Sequence, residues 1–507
     1  MQYLIGVDIG TSATKTILMD ENGEILSQTS RSYPMMQPAN GWAEQRPDDW
    51  LEASIETIRF VVEESGVDPA AVKGIGLSGQ MHGLVMLDEN DKPIRDSIIW
   101  CDQRSHEQLE EMTSSLPFEK WLEITANPPI AAWTAAKILW VRKHEPENLA
   151  KCRHILLPKD YVRFGLTGDF ATDVSDASGM QLMDVKNRCW SDEVLEAVKI
   201  DKALLPKIYE SAEVTGYLTK EAAEKCGLTT QCAVVGGSAD NAGAAIGSGI
   251  VLDGDAFTSI GTSAIVYTAL DNYKSVPEGS LHLCCSSVPG GYFTMGGPQA
   301  AGLSVEWFRE KFCRGLAEEA KESGKPIFEL INEKTAEIKP GSDRLIYLPF
   351  LMGERTPHMN AKYRGAFVGL NTVHGQAHML RAIMEGITYS LADCNDILKG
   401  MGTFVKEMRV CGGGSRNPVW RQIMADLYEC DVVTLTQEEG PAYGEAILAG
   451  VGTGVFDDVR TAAKKLTGTD KKVSPNPEEV DVYRKYHKIY QKVYDHLVSD
   501  FDELYEV

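Results

Sequence analysis

The chain has 507 residues, 43% hydrophobic and 24% charged, with 50 Lys and Arg against 73 Asp and Glu, a formal net charge of −23. That length exceeds what one hydrophobic core supports and predicts two or three domains. The acidic balance, with no Lys/Arg-rich run, excludes a nucleic-acid partner, which needs a basic face, and no apolar run reaches the roughly 18 residues expected of a membrane span.

A strand pattern begins at Tyr3 with no basic leader before it, so a cytoplasmic location is expected. The 11 cysteines are odd in number and lack a CxxC pair, and read as small buried thiols of a reducing compartment.

Leu4 to Asp8 is a short strand, Ile9-Gly10-Thr11-Ser12-Ala13 a tight turn, and Thr16-Ile17-Leu18 a return strand. Such a hairpin exposes backbone N–H groups that can hold phosphate. Asp8, just before the turn, is placed to hold Mg²⁺ through water, and Lys15 to add a cation. A single Gly-Thr-Ser would read as an ordinary surface turn. Trp50 to Glu64 is an amphipathic helix.

Gly74-Ile75-Gly76-Leu77-Ser78-Gly79 matches GxGxxG in form, but Gln80-Met81-His82-Gly83 and another strand-like run, Leu84 to Leu87, follow where a dinucleotide fold needs a helix. The bent segment instead offers His82 to a sugar hydroxyl and Met81 to its carbon face, although a lone histidine is more often structural. Gly10 to Lys15 lacks the glycine of a Walker A loop.

Ala233 to Gly237 is an apolar strand leading to Asp240-Asn241, which opens an Ala/Gly-rich helix. An Asp there is usually an N-cap. Its place in the repeat scheme favours a base that accepts a hydroxyl proton. Ile260-Gly261-Thr262-Ser263-Ala264 then repeats the first pentapeptide, again between strand-like runs.

Lys311 to Pro340 is a solvated helical excursion containing the helix Phe328 to Ile338, and His378 to Leu398 is another helix. After the strand Met408 to Cys411, Gly412-Gly413-Gly414-Ser415-Arg416-Asn417 leaves room for a flat nucleoside ring. Ile246 to Ile250 and Val451 to Val455 form a second echo, each ending an Ala/Gly-rich stretch. Two echoes in the same order predict two related halves, with the two small-residue helices crossing at a hinge. Val482, Tyr486, Ile489, Val493 and Leu497 share one face of a terminal helix expected to pack on the second domain.

Together these segments resemble the FGGY carbohydrate kinases, a branch of the actin, hexokinase and heat-shock ATPase superfamily. The resemblance runs from Leu4 to about Thr453. Its signatures are Trp133-Thr134-Ala135-Ala136-Lys137-Ile138-Leu139-Trp140, and Gly365 to Leu370 followed by His378 to Glu385. Within the family, Ser78 to Gly83, Trp100 to Arg104, Leu156 to Tyr161, Ser175 to Gly179 and Phe350 to His358 resemble the xylulokinase branch.

The resemblance implies an α/β fold of two actin-like (ribonuclease H-like) domains around a cleft. Residues 1–247 would bind sugar, and residues 248–507, with the terminal helix, nucleotide. It implies ATP and Mg²⁺ as cofactors, and phosphorylation of a ketopentose, D-xylulose first. Substrate contacts are implied at Gln80, Met81, His82 and Asn241, with Asp240 as proton acceptor. Phosphate contacts are implied at Gly10, Thr11, Gly261 and Thr262, and adenosine contacts at Gly413, Gly414 and Asn417. Homodimers are common among relatives, and no segment here demonstrates one. The alternatives are a kinase of the same family for ribulose, gluconate, erythrulose or a polyol, and an actin-like assembly ATPase.

Three segments depart from the family pattern. Gly237-Ser238-Ala239-Asp240-Asn241 stands for the usual Gly-Gly-Gly-Asp-Asn, Trp133-Thr134-Ala135-Ala136-Lys137 for Phe-Thr-Ala-Pro-Lys, and Thr125-Ala126-Asn127 for Thr-Gly-Asn. All three fall where substrate is expected and bear on which sugar is taken.

Overall fold

The computed structural model describes residues 1–436 and 440–506. Strand β1 (Tyr3–Ile9) is buried almost throughout, as a strand covered on both faces must be. It runs antiparallel to β2 (Ala13–Asp20), which pairs with β3 (Ile25–Ser32), where buried and exposed residues mix as at an edge. Helix α1 (Pro47–Ser65) has Pro in its first turn and Asp48 and Asp49 at its positive end, and stops at Gly66 in the left-handed region. Strand β4 (Val72–Gly79) returns parallel to β1. Beyond it lie β5 (Val214–Tyr217) and β6 (Ala233–Val235), giving the order β5-β6-β4-β1-β2-β3.

After α2 (Asp240–Gly247) the second half builds its own sheet from β7 (Ala256–Ile260), β8 (Ala264–Leu270), β9 (His282–Cys285), β10 (Tyr292–Gly296), β11 (Glu407–Cys411), β12 (Asp431–Leu435) and β13 (Thr469–Val473). Its order is β9-β10-β8-β7-β11-β12-β13. Leaving out the extra edge strand β9, this repeats the first sheet. Each has an antiparallel three-strand meander, two strands parallel to the first, and an antiparallel edge. This duplicated topology is the actin-like, ribonuclease H-like α/β fold. The repeated pentapeptide is the turn from first to second strand in each sheet. The GxGxxG run is strand β4 followed by the strand Val85–Leu87, with no dinucleotide-type helix between.

The remaining helices used below are α3 (Gln376–Gly400), α4 (Pro418–Tyr428), α5 (Gly440–Gly452) and α6 (Pro477–Glu506). Helices α2 and α5 cross at backbone contact. A Cβ on Gly444 would lie 2.0 Å from the Gly243 carbonyl oxygen, and one on Gly247 would lie 2.1 Å from that of Gly440. Each helix covers the other half's sheet. Ala242 and Ala245 of α2 pack with Phe257, Tyr267 and Phe293, while Ala442, Ala446 and Ile447 of α5 pack with Leu4, Ile17 and Met19. Glycines in the first sheet make room: a Cβ on Gly6 would lie 1.8 Å from the Ala442 carbonyl oxygen, and one on Gly76 would lie 2.2 Å from that of Glu445.

The terminal helix α6 packs on the second half as expected, with Tyr486, Val493 and Leu497 of the expected face against the core, but the most deeply buried stripe is the one beside it. Val480, Tyr483, His487, Tyr490, Tyr494 and Phe501 are buried, while Ile489 is 46% exposed. Two of the buried tyrosine hydroxyls find partners: Tyr483 bonds Glu385 (3.0 Å) and Arg381 (2.9 Å), and Tyr494 donates to the Tyr363 hydroxyl at 2.6 Å. The 11 cysteines form no disulfide, and most are buried.

Gly444→Ala should cost about 2–3 kcal/mol through the forced separation of the crossing helices. The readout is the urea midpoint. Gly413→Ala is the control, because nothing lies within 4 Å of a Cβ there, and its midpoint should match wild type.

Candidate active site

The register of the first sheet determines which side chains meet. Asp8 pairs with Ser78 and Ile9 with Gly79, and Ser238 and Ala239 pair with the same two residues from the other side. Three parallel segments therefore end in step, and Gly10, Gln80 and Asp240 emerge side by side at their carboxyl ends, where open α/β sheets bind ligands. Two strand spacings, about 10 Å, separate the first turn from Asp240.

Asp8 accepts a hydrogen bond from Ser78 Oγ at 2.8 Å and lies across the ladder from Lys15. Burial pushes its carboxyl up, against the pull of Ser78 and Lys15. Burial, then the charge of Asp8, pushes Asp240 up to about 7. Asp240 is the first residue of α2, Ala239 holds the cap position, and no side chain caps the helix. Its Oδ1 accepts from the Asn241 backbone N–H (2.6 Å) and side-chain amide (2.9 Å), and that amide nitrogen lies 3.9 Å from Met81 Sδ.

His82 holds a left-handed backbone, φ 67°, in a non-glycine residue. Three contacts fix it there. Its Nδ1 lies 2.8 Å from the Gly179 carbonyl oxygen, its ring stacks on Trp133 at 4.6 Å and 14°, and Lys137 Nζ donates to its carbonyl at 2.8 Å and to that of Ala132. Burial, then Lys137, holds the imidazole well below its usual range, so it is neutral. A carbonyl only accepts, so Nδ1 carries the proton and Nε2 is left as an acceptor for a hydroxyl.

The first turn is braced from beneath. Trp100 Nε1 donates to Thr11 Oγ1 (2.8 Å) and Gln45 Nε2 to the Thr11 carbonyl (2.7 Å). Gln80, expected with the substrate, is 1% exposed. Its amide donates to Gln45 Oε1 (2.8 Å) and its oxygen lies 3.5 Å from Thr11 Oγ1, so its side chain supports the turn.

In the second half, Gly261 to Ser263 is exposed, and Gly261 and Thr262 are tied by their carbonyls to the start of the next helix at Ala301 to Leu303. The glycine loop packs on the residue just before this turn: Cβ atoms on Gly412 and Gly414 would lie 2.6 and 2.5 Å from atoms of Ile260. Gly413, Gly414, Gly261 and Thr262 thus belong to one continuous surface. Asn417 caps α4 by accepting from Trp420 N–H at 3.1 Å.

Behind Asp240 lies a buried charge cluster. Lys159 Nζ is 2.6 Å from Asp160, 2.9 Å from Asp173 and 3.7 Å from Asp176, and Arg163 is 3.1 Å from Asp160. Burial raises Asp176 well above the carboxylate range, with Asp240 among the charges that add to it. Trp133 and Lys137 stand in a signature segment and Lys159 in a branch-specific one, but sequence reasoning gave none of them a role in the site.

Asp8 and Asp240 are half-buried carboxylates close enough for the charge of Asp8 to raise Asp240. An oxygen-only donor set with surplus negative charge fits Mg²⁺ at Asp8.

Residues 3–247 match the N-terminal domain, and residues 256–453 the C-terminal domain, of the FGGY family of carbohydrate kinases. The chain is 38% identical to the xylulose kinase of Lactococcus lactis over 496 residues, covering 97% of each chain. It superposes on the ligand-bound xylulose kinase of Lactobacillus acidophilus with a TM-score of 0.91 at 27% identity, covering 99% of this chain and 100% of that one. The gluconate kinase of the same organism gives 0.92 at 27% identity, covering 99% of both. With both family domains matched on one duplicated fold, the chain belongs to the FGGY family of carbohydrate kinases.

Proposed function

We propose that this protein transfers the γ-phosphate of ATP to O5 of D-xylulose, with Asp240 as the base. The observation that carries this reading is the emergence of Asp240 in step with the first Gly-Thr-Ser turn, at the first position of α2 with Ala239 in the cap position. The relatives named xylulose kinase support the choice of sugar. The sugar would lie over Met81, His82 and Asn241, with the neutral His82 accepting from one of its hydroxyls. The adenosine would rest on Gly413, Gly414 and Asn417, and the phosphates between the turns at Gly10-Thr11 and Gly261-Thr262, with Lys15 beside Asp8.

Asp240 takes the proton of the attacking hydroxyl as the O–P bond forms. Turn amides and threonine hydroxyls stabilise charge on the transferring group. Mg²⁺, held at Asp8, would supply charge neutralisation on the phosphates. Residues 1–247 and 248–507 would act as two bodies closing over the reactants and excluding water. The reading carries a cytoplasmic location and a homodimer as further proposals. Among the described residues no helix is long and apolar enough to cross a membrane.

One observation favours a second sugar class. Arg355 Nε is buried without a hydrogen-bond partner and its guanidinium is among the charges that hold His82 low, and a cation there suits a sugar acid such as gluconate. An ADP-release assay with D-xylulose, D-ribulose, erythrulose, gluconate and glycerol separates these readings, and D-xylulose should give the highest kcat/KM. Equal ADP release without any sugar would support an assembly ATPase instead.

Asp240→Asn should keep ATP binding and lose about 10²–10⁴-fold in kcat. Near-normal turnover would remove Asp240 from the mechanism. Because only the ionised carboxylate can accept the proton, kcat/KM for the sugar should fall as pH drops below about 7 and level off above it. The same raised value means that ionising Asp240 costs native stability as pH rises from 4 through 7. Asp240→Asn should therefore melt higher than wild type at pH 8.

A further inference from the structure

The segment that carries Asp240 is held at each of its residues. Gly236 N–H donates to the Glu213 carbonyl and Gly237 N–H to that of Ser211, both at 2.9 Å, and Ala239 N–H donates to Ser175 Oγ at 3.0 Å. Lys159 Nζ reaches the Gly236 carbonyl at 3.5 Å. All of these partners belong to the first half. Ser238 differs: its hydroxyl donates to Glu445 Oε1, on helix α5 of the second half.

Glu445 is 0% exposed. Its side chain is wedged between two glycines: a Cβ on Gly76 would lie 2.9 Å from Oε2, and one on Gly243 would lie 3.1 Å from Oε1. Oε2 has no hydrogen-bond partner. A buried carboxyl group in a helix whose other buried residues are small or aliphatic apart from Tyr443 is costly unless it does something a smaller side chain cannot. Position 238 is also where this chain carries serine in place of the family's glycine, so donor and acceptor are both supplied by side chains.

We infer that Ser238 and Glu445 are positioning residues whose hydrogen bond couples the nucleotide-side helix α5 to the segment that aims Asp240, so that the base is aligned only when the two halves are correctly seated. This rests on Asp240 being the base. The bond spans the crossing of α2 and α5, two residues upstream of Asp240. A shift of α5 therefore reaches the carboxylate through Ser238, Ala239 and the start of α2. Of the proposed sugar contacts, Met81 and His82 lie on another segment, and Asn241 alone moves with Asp240.

The test is a double-mutant cycle on the full-length protein with ATP and D-xylulose, or with whichever sugar the panel shows to be accepted. Ser238→Ala and Glu445→Ala should each lower kcat roughly tenfold, and the double variant should be no slower than the slower single, as for two members of one contact. KM for the sugar should stay within about twofold. Glu445→Gln keeps the accepting oxygen and should retain kcat within about threefold of wild type. Wild-type kcat in Ser238→Ala, or single effects that multiply in the double variant, would overturn the inference. If Glu445→Ala does not fold, Ser238→Ala, which removes only the hydroxyl, decides by the same criterion. Failure of the phosphotransfer reading shows up separately, as a wild-type protein that phosphorylates no sugar offered.

Discussion

The structure depends on two backbones being allowed to touch. Helices α2 and α5 cross where Gly243, Gly247, Gly440 and Gly444 carry no side chains, and α5 lies against the first sheet over Gly6 and Gly76. A Cβ on Gly247 or Gly444 would force the two helices apart, and one on Gly6 or Gly76 would force α5 off the sheet. The small-residue crossing lets each half lend a helix to the other's core while the two sheets stay separate. It also brings the start of α2, and with it Asp240, to the carboxyl ends of β1 and β4.

Around that crossing the protein tolerates an unusual density of buried charge. Asp160, Asp173 and Asp176 share Lys159, and Glu445 adds a fourth carboxyl from the other half. Burial favours the neutral form of Asp176 and of Glu445, which is pushed up to about 8. The result is a buried polar layer behind Asp240. Through Lys159 and Glu445 it bonds Gly236 and Ser238, which a purely apolar core could not do. Such a layer lowers stability in exchange for position, a common bargain at sites where a carboxylate must remain reactive.

The segment around His82 follows the same logic with different residues. His82 keeps a strained backbone because Gly179, Trp133 and Lys137 each fix a different atom of it. Lys137, buried and lowered to about 7 mainly by desolvation, is spent on two carbonyls. The neutral imidazole keeps Nε2 as an acceptor.

What the chain alone determined was local. The duplicated Gly-Thr-Ser turns, the glycine loop before Asn417 and the Asp240-Asn241 helix start were legible because turn and loop chemistry is set by neighbours in sequence. The two echoes were enough to predict two related halves. The tertiary structure decided the rest: that Gln80 supports the turn, that the tyrosine stripe of α6 is the most deeply buried one, that Gly76 lies under a helix, and that Ser238 meets Glu445 207 positions away. Those facts depend on which surfaces are pressed together after folding. Periodicity and motif spacing carry no record of a partner that arrives from the other half of the chain.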